Sequence, residues 1–250
     1  TSSSPEDFRD QISAIMQKTS EDLHRRIDEY NRLEIRSPLS LFATTTGKGR
    51  LKTSEFLAYE NSERIRNNLA VVDSAENTNP VFILSYETIV YLTHLGLDGS
   101  TIKGINLTCS SYVRNQLLND INEELLEITD DNQRGTMFYE DGKLSILERT
   151  SDMRRARYAY LSRLKAFAES IHTMHNVPAF TSCNDALKDD INGMFSKQQM
   201  YCESTCLSAA KNTPNAILVT DDQFLFALAN TEGIRNVGLT GFLAWTNLGW

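Results

Sequence analysis

Two four-residue apolar runs, Val81–Leu84 and Ala216–Val219, each open onto a polar, acidic turn followed by a helical pattern: VFIL then SYE, and AILV then TDD. A run this short, apolar at every position, is what a strand buried on both faces requires. Between the two runs the chain keeps alternating. Residues 88–97 read as a helix ending at Gly96, and 105–108 as a second strand. A helix from about residue 111 sets Val113, Leu117, Leu118, Ile121 and Leu125 on one face. After the second run come a helix over 222–229 and a last strand at 237–239. Such alternation predicts an α/β fold with a central parallel sheet of four or five strands, covered by helices on both faces. Sheets of this kind bind ligands beyond the carboxyl ends of their strands, where the strand order reverses.

The rest of the chain is arranged around this alternation. Residues 6–33 form an amphipathic helix in which Phe8, Ile12, Ile15, Met16, Leu23, Ile27 and Tyr30 recur near the helical period, with Ser4 and Pro5 as its start signal. Residues 34–53 read as loop, 54–70 as weakly helical, and DSAENTNP at 73–80 as a polar break. This divides the chain into a helical N-terminal extension, 1–78, and an α/β domain, 79–250. Residues from 132 to about 198 read as an insertion. It holds a hairpin turning at Asp141-Gly142 and a long amphipathic helix over 153–171. A further helix is expected over 200–210.

The net charge of −8 excludes a simple basic, non-specific nucleic-acid binder. It does not exclude a nuclease, whose acidic pocket a metal ion neutralises. No apolar run approaches the ~18 residues of a membrane span. The opening TSSSPEDFRD is polar and acidic, unlike a secretion signal, and starts at Thr1 rather than Met, which reads as a trimmed chain or a part of a longer one. The four cysteines form no disulfide framework, so a reducing, cytoplasmic setting is expected.

The adjacent Asp221 and Asp222 pose the sharpest chemical question, because burying two like charges is costly unless something compensates. One aspartate can cap the helix that follows, worth ~1 kcal/mol. Alternatively, both can serve a divalent cation. Glu203, on the first turn of the expected helix, either complements the helix dipole or joins such a site. Ser85 and Glu87 share a face if the first strand runs on through them. The run Arg154-Arg155-Ala156-Arg157, with Arg163 and Lys165 beyond it, is the densest basic strip, read either as a phosphate contact or as a solvated face pairing with Glu148 and Asp152. Cys202 and Cys206 read as buried thiols, since a zinc site would have to recruit His172 or His175. Asp185, Asp189 and Asp190 read as exposed capping acids.

The order of apolar strand, acidic turn and helix, then an acidic helix, then strand–TDD–helix–GI–strand, resembles a PIN domain. PIN domains are small α/β metal-dependent nucleases acting mostly on RNA. The resemblance is best over 203–243 and fair over 80–118, about two thirds of the chain in all. The upstream YNRLEIRSPLSLFATTTGKG is similar to the segment preceding the PIN domain in some large multidomain bacterial proteins. The resemblance implies an endoribonuclease using Mg²⁺ or Mn²⁺ held by Glu203, Asp221 and Asp222, with Glu87 as a supplementary acid. Ser85 and Thr220 would orient waters or ligands, and Arg154, Arg155 and Arg157 would hold the RNA backbone. Two positions depart from the pattern: the first metal-binding aspartate falls at Ser85, and the acid of the second helix near Gln116. Losing them implies a weakened site, and the alternative is an inactive nucleic-acid-binding or protein-interaction module, with a partner engaged through the N-terminal helices.

Overall fold

A computed structural model describes residues 5–32, 49–60, 79–99, 101–129, 135–140, 143–180 and 197–246. Of the loop expected over 34–53, residues 34–48 lie outside these residues and 50–53 are helical instead. Residues 61–70 of the weak helix expected over 54–70, the Asp141-Gly142 turn and the acids Asp185, Asp189 and Asp190 also lie outside them.

The elements in chain order are α1 (Pro5–Asn31), α2 (Arg50–Glu60), β1 (Val81–Leu84), α3 (Tyr86–His94), β2 (Asn106–Ser110), α4 (Ser111–Thr129), β3 (Gly135–Glu140), β4 (Lys143–Glu148), α5 (Ser151–Ser170), β5 (His172–Met174), α6 (Lys197–Asn212), β6 (Ala216–Val219), α7 (Gln223–Thr231), β7 (Asn236–Val237) and α8 (Leu239–Trp245). Five strands form one sheet in the order β5-β2-β1-β6-β7, and every pairing is parallel. The fold is α/β with helices flanking the sheet, as the alternation predicts. β3 and β4 pair separately as an antiparallel hairpin with Glu140 opposite Lys143, and α1 packs against that hairpin. β5 falls within residues 132–198, yet it pairs with β2 and extends the main sheet. α2 packs on α3 and α4.

β1 and β6 are neighbours at the centre of the sheet, in register from Val81 opposite Ala216 to Leu84 opposite Val219. All four residues of β6 and the last three of β1 are buried, which is why these runs are apolar throughout. Phe82 anchors the core beneath them. Its ring meets Phe242 at 4.9 Å and Trp245 at 5.0 Å, both edge to face, so α8 closes over β1. α6 packs closely on the sheet because its inner positions are small: Ser204, Thr205, Ser208, Ala209 and Ala210 are all buried.

The short strands end where their chemistry changes. β1 stops at Leu84 because Ser85 is an N-cap, its Oγ accepting from the Thr88 N–H at 3.3 Å. The Thr88 hydroxyl donates to the Val219 carbonyl at 2.9 Å. Its proton is therefore committed, and the Ser85 hydroxyl donates to Thr88 Oγ1 at 2.9 Å. The strand does not run on, so Ser85 and Glu87 do not alternate on one strand face. Glu87 instead lies on the first turn of α3. At the other end of α3, Gly96 takes φ +77° and the Leu97 N–H returns to the Leu92 carbonyl at 2.9 Å, the arrangement that lets glycine stop a helix.

Candidate functional site

Moving along the chain from β1 to β2 and β5, the sheet grows in one direction. The chain then crosses back to β6 on the other side of β1. The order therefore reverses between β1 and β6, and the crevice beyond their carboxyl ends is the place where such sheets bind. SYE follows β1 and TDD follows β6, so both acidic turns lie at that end of the sheet, where all six residues are buried.

The two aspartates serve two different helices. Asp222 is the N-cap of α7, its carboxylate accepting from Phe224 N–H at 2.8 Å and Leu225 N–H at 3.3 Å. Thr220 supports the turn by accepting from the Asp222 N–H at 3.1 Å. Asp221 lies apart. Its Oδ1 accepts from the Leu239 N–H at 3.0 Å, the first amide of α8, whose own N-cap, Gly238, has no side chain to offer. Burial pushes the Asp221 carboxyl up to about 7, against the lowering effect of that amide, with no neighbouring charge contributing. Asp222 is also raised, first by burial and then by the negative charges of Glu87 and Glu203. Glu87, Glu203 and Asp222 therefore share one electrostatic neighbourhood, and Asp221 is outside it.

The centre of that neighbourhood is an arginine. Arg50, the first residue of α2, is 5% exposed. Its Nε and Nη2 donate to Glu87 Oε1 at 3.1 and 2.6 Å, and Nη2 also donates to Glu203 Oε1. The guanidinium lies over the Tyr86 ring, 4.2 Å from its centroid. Glu203, on the second turn of α6, is pushed up to about 7 by burial, a shift that Arg50 opposes and Glu87 reinforces. The acid expected near Gln116 is present one helical turn later. Asp120 accepts from the Tyr86 hydroxyl at 2.6 Å and from Gln116 Nε2 at 2.7 Å, and the Arg50 charge reaches it.

Arg50, Tyr86 and Asp120 were not legible as site residues. Asp120 was open to detection, because one turn separates it from Gln116 on the same helix face. Arg50 carried a fainter signal. It precedes Ser54 and Leu57 by four and seven residues, so it falls on the buried face of α2, and a buried arginine must find acids.

The basic strip on α5 is mostly engaged within the fold. Arg157 pairs with Glu124 at 2.5 Å and Glu55 at 2.8 Å, tying α5 to α4 and α2. Arg155 pairs with Asp152 at 2.5 Å with both side chains largely exposed, and Arg154 is half-buried. Beyond the strip, Arg163 donates to the Thr93 carbonyl at 3.1 Å, at the end of α3. Cys202 and Cys206 are buried free thiols that donate to the Tyr112 and Leu84 carbonyls, both at 3.7 Å.

An all-parallel five-stranded sheet flanked by helices, with acids at its switch point, is consistent with a PIN-type domain of the nuclease class. A family model described as "PIN domain associated with the TPR-GreAB-C-PIN system" matches residues 87–231, more than half of the chain, and the chain belongs to that family. No curated protein gives a significant match to it. PIN domains generally depend on a divalent metal. The residues present do not fit such an ion: the Arg50 guanidinium occupies the position between Glu87 and Glu203 and supplies the positive charge. Among the described residues, no three His, Cys, Asp or Glu are grouped as a metal site. No helix among them is long and apolar enough to cross a membrane.

Proposed function

We propose that this chain is a PIN module that no longer runs metal-dependent hydrolysis and acts as a protein-interaction or regulatory unit. The observation that carries this reading is Arg50, buried in the crevice with Glu87 and Glu203. A Mg²⁺ or Mn²⁺ ion needs oxygen ligands and room for its waters, and a guanidinium at the centre of the carboxylates takes both. Asp221 and Asp222, the expected ligands, cap helices. The net charge of −8 and the engagement of Arg157 favour a protein partner over RNA. The family's description couples its PIN domain to TPR and GreAB-C components, in keeping with a module that works inside a larger assembly.

The second reading is the metal-dependent endoribonuclease, favoured by the shared neighbourhood of Glu87, Glu203 and Asp222 at the switch point. In that reading Arg154, Arg155 and Arg157 meet the RNA backbone. The test is incubation of the wild-type chain with single-stranded RNA and Mn²⁺, together with a Mn²⁺ titration of its thermal midpoint. The expected outcome is intact RNA and an unmoved midpoint. Mn²⁺-dependent cleavage that disappears in Glu203→Gln overturns the proposal in favour of the nuclease.

A further inference from the structure

Arg50 satisfies its partners incompletely. An arginine and a carboxylate saturate one another through two parallel hydrogen bonds to two oxygens. Here all three bonds fall on one oxygen of each glutamate. Glu87 Oε2, Glu203 Oε2 and Arg50 Nη1 are buried without a hydrogen-bond partner. Glu87 and Glu203 are 1% and 2% exposed, so water does not supply the missing contacts freely. Two buried acceptor oxygens left without a donor are a poor match for a planar fork, whereas a compact hard ion draws oxygens in from several directions. The crevice thus keeps the donor set of a cation site while its cation comes from α2.

We infer that Arg50 is a built-in substitute for a divalent cation, so that seating of its guanidinium and binding of Mn²⁺ between Glu87 and Glu203 are mutually exclusive. This deepens the functional reading above and rests on it. α2 meets the two glutamates through its first residue. Leu51 and Leu57 are buried in the core cluster, and Lys52 pairs with Glu127 at 2.9 Å on the outer side. Those contacts hold the helix in place independently of the guanidinium. The lock on the crevice is therefore one side chain, and removing it leaves the helix its other anchors. Linkage makes the exclusion reciprocal: whatever displaces the guanidinium raises the affinity for the ion by the same factor by which the ion displaces the guanidinium.

The experiment compares wild-type chain, Arg50→Ala, and Arg50→Ala with Glu203→Gln, using Mn²⁺ alone as the probe. Bound ion is counted by electron paramagnetic resonance, and the thermal midpoint is followed in parallel. The expected result is no bound Mn²⁺ in wild type, one ion per chain in Arg50→Ala with a midpoint raised by several degrees, and loss of at least tenfold in affinity on adding Glu203→Gln. A folded Arg50→Ala chain that binds no Mn²⁺, beside a wild type that also binds none, overturns the inference and leaves the functional reading standing. Tight binding to wild type overturns both. Should Arg50→Ala fail to fold, Arg50→Gln removes the charge and keeps an amide donor for one glutamate. One bound ion in that variant supports the inference, and none overturns it.

Discussion

Asp221 and Leu239 are joined across eighteen residues by a single hydrogen bond, the carboxylate closing the first amide of α8 at 3.0 Å. Its neighbour Asp222 closes α7. Each of the two adjacent acids thus accepts from the amide end of its own helix, where negative charge is favoured, while Asp221 Oδ2 is buried without a hydrogen-bond partner.

The first prediction separates capping from catalysis. Asp221→Ala and Asp222→Ala should each cost ~1 kcal/mol or somewhat more, lowering the melting midpoint by roughly 2–4 °C per kcal/mol for a domain of this size. Asp221→Asn keeps an acceptor oxygen and should cost less than Asp221→Ala. Thermal denaturation checks the order. Equal losses for Asn and Ala would mean that the hydrogen bond to Leu239 carries nothing.

Arg50 is expected to be the most sensitive charged position. Arg50→Met strands two buried carboxylates, and breaking a buried ion pair from one side costs about 3–5 kcal/mol. Adding Glu87→Gln and Glu203→Gln should recover much of that loss, because the stranded charges are gone. Urea denaturation of the single, double and triple variants, combined as a mutant cycle, measures the coupling. Simple additivity would refute it.

Stability should fall as pH rises through neutrality. Glu203 is raised from 4.5 to about 7, and Asp221 from 3.8 to about 7. Between the ordinary and the raised values the folded chain holds protons that the unfolded chain has released, so this stabilisation is complete below about pH 4 and is lost as pH climbs through about 7. The slope is at most about 1.4 kcal/mol per pH unit for each group. Urea midpoints from pH 5 to 8.5 should decline, and Glu203→Gln should flatten the decline. A midpoint that rises over this range contradicts the assignment.

The two arginines of the basic strip should behave differently. Arg157 is paired with Glu124 and Glu55 in a half-buried setting, whereas the Arg155–Asp152 pair is largely exposed. Arg157→Ala should destabilise by more than 1 kcal/mol, and Arg155→Ala by no more than about 0.5 kcal/mol. Parallel RNA-binding titrations show whether either residue contacts phosphate. Loss of RNA affinity in Arg155→Ala without loss of stability would restore the backbone-contact reading.

The sheet was legible because burial on both faces leaves a plain mark: VFIL and AILV have no polar position, and β1 and β6 are the central strands. The hairpin was legible for a different reason, the Asp-Gly pair between two runs of strand formers, and Glu140 pairs with Lys143. The site was legible only in part. Glu203 and Asp222 could be placed because they flank predictable elements. The partner of Glu203 could not, because Arg50 lies 153 residues away and its one local signal, the spacing to Ser54 and Leu57, needs a helix that starts earlier than the expected 54. Ser85 looked like a lost ligand because capping and coordination draw on the same short polar side chains at the same place, the end of a strand.

The family match stops at residue 231, but the folded unit does not. Phe242 and Trp245 of α8 roof Phe82, and Arg50 enters from well before the match begins. A recombinant fragment trimmed to the matched boundaries would lose β1, the central strand that carries Phe82, and leave its acidic centre without a counter-charge. Expression limits for this domain therefore belong ahead of Arg50 and beyond Trp245.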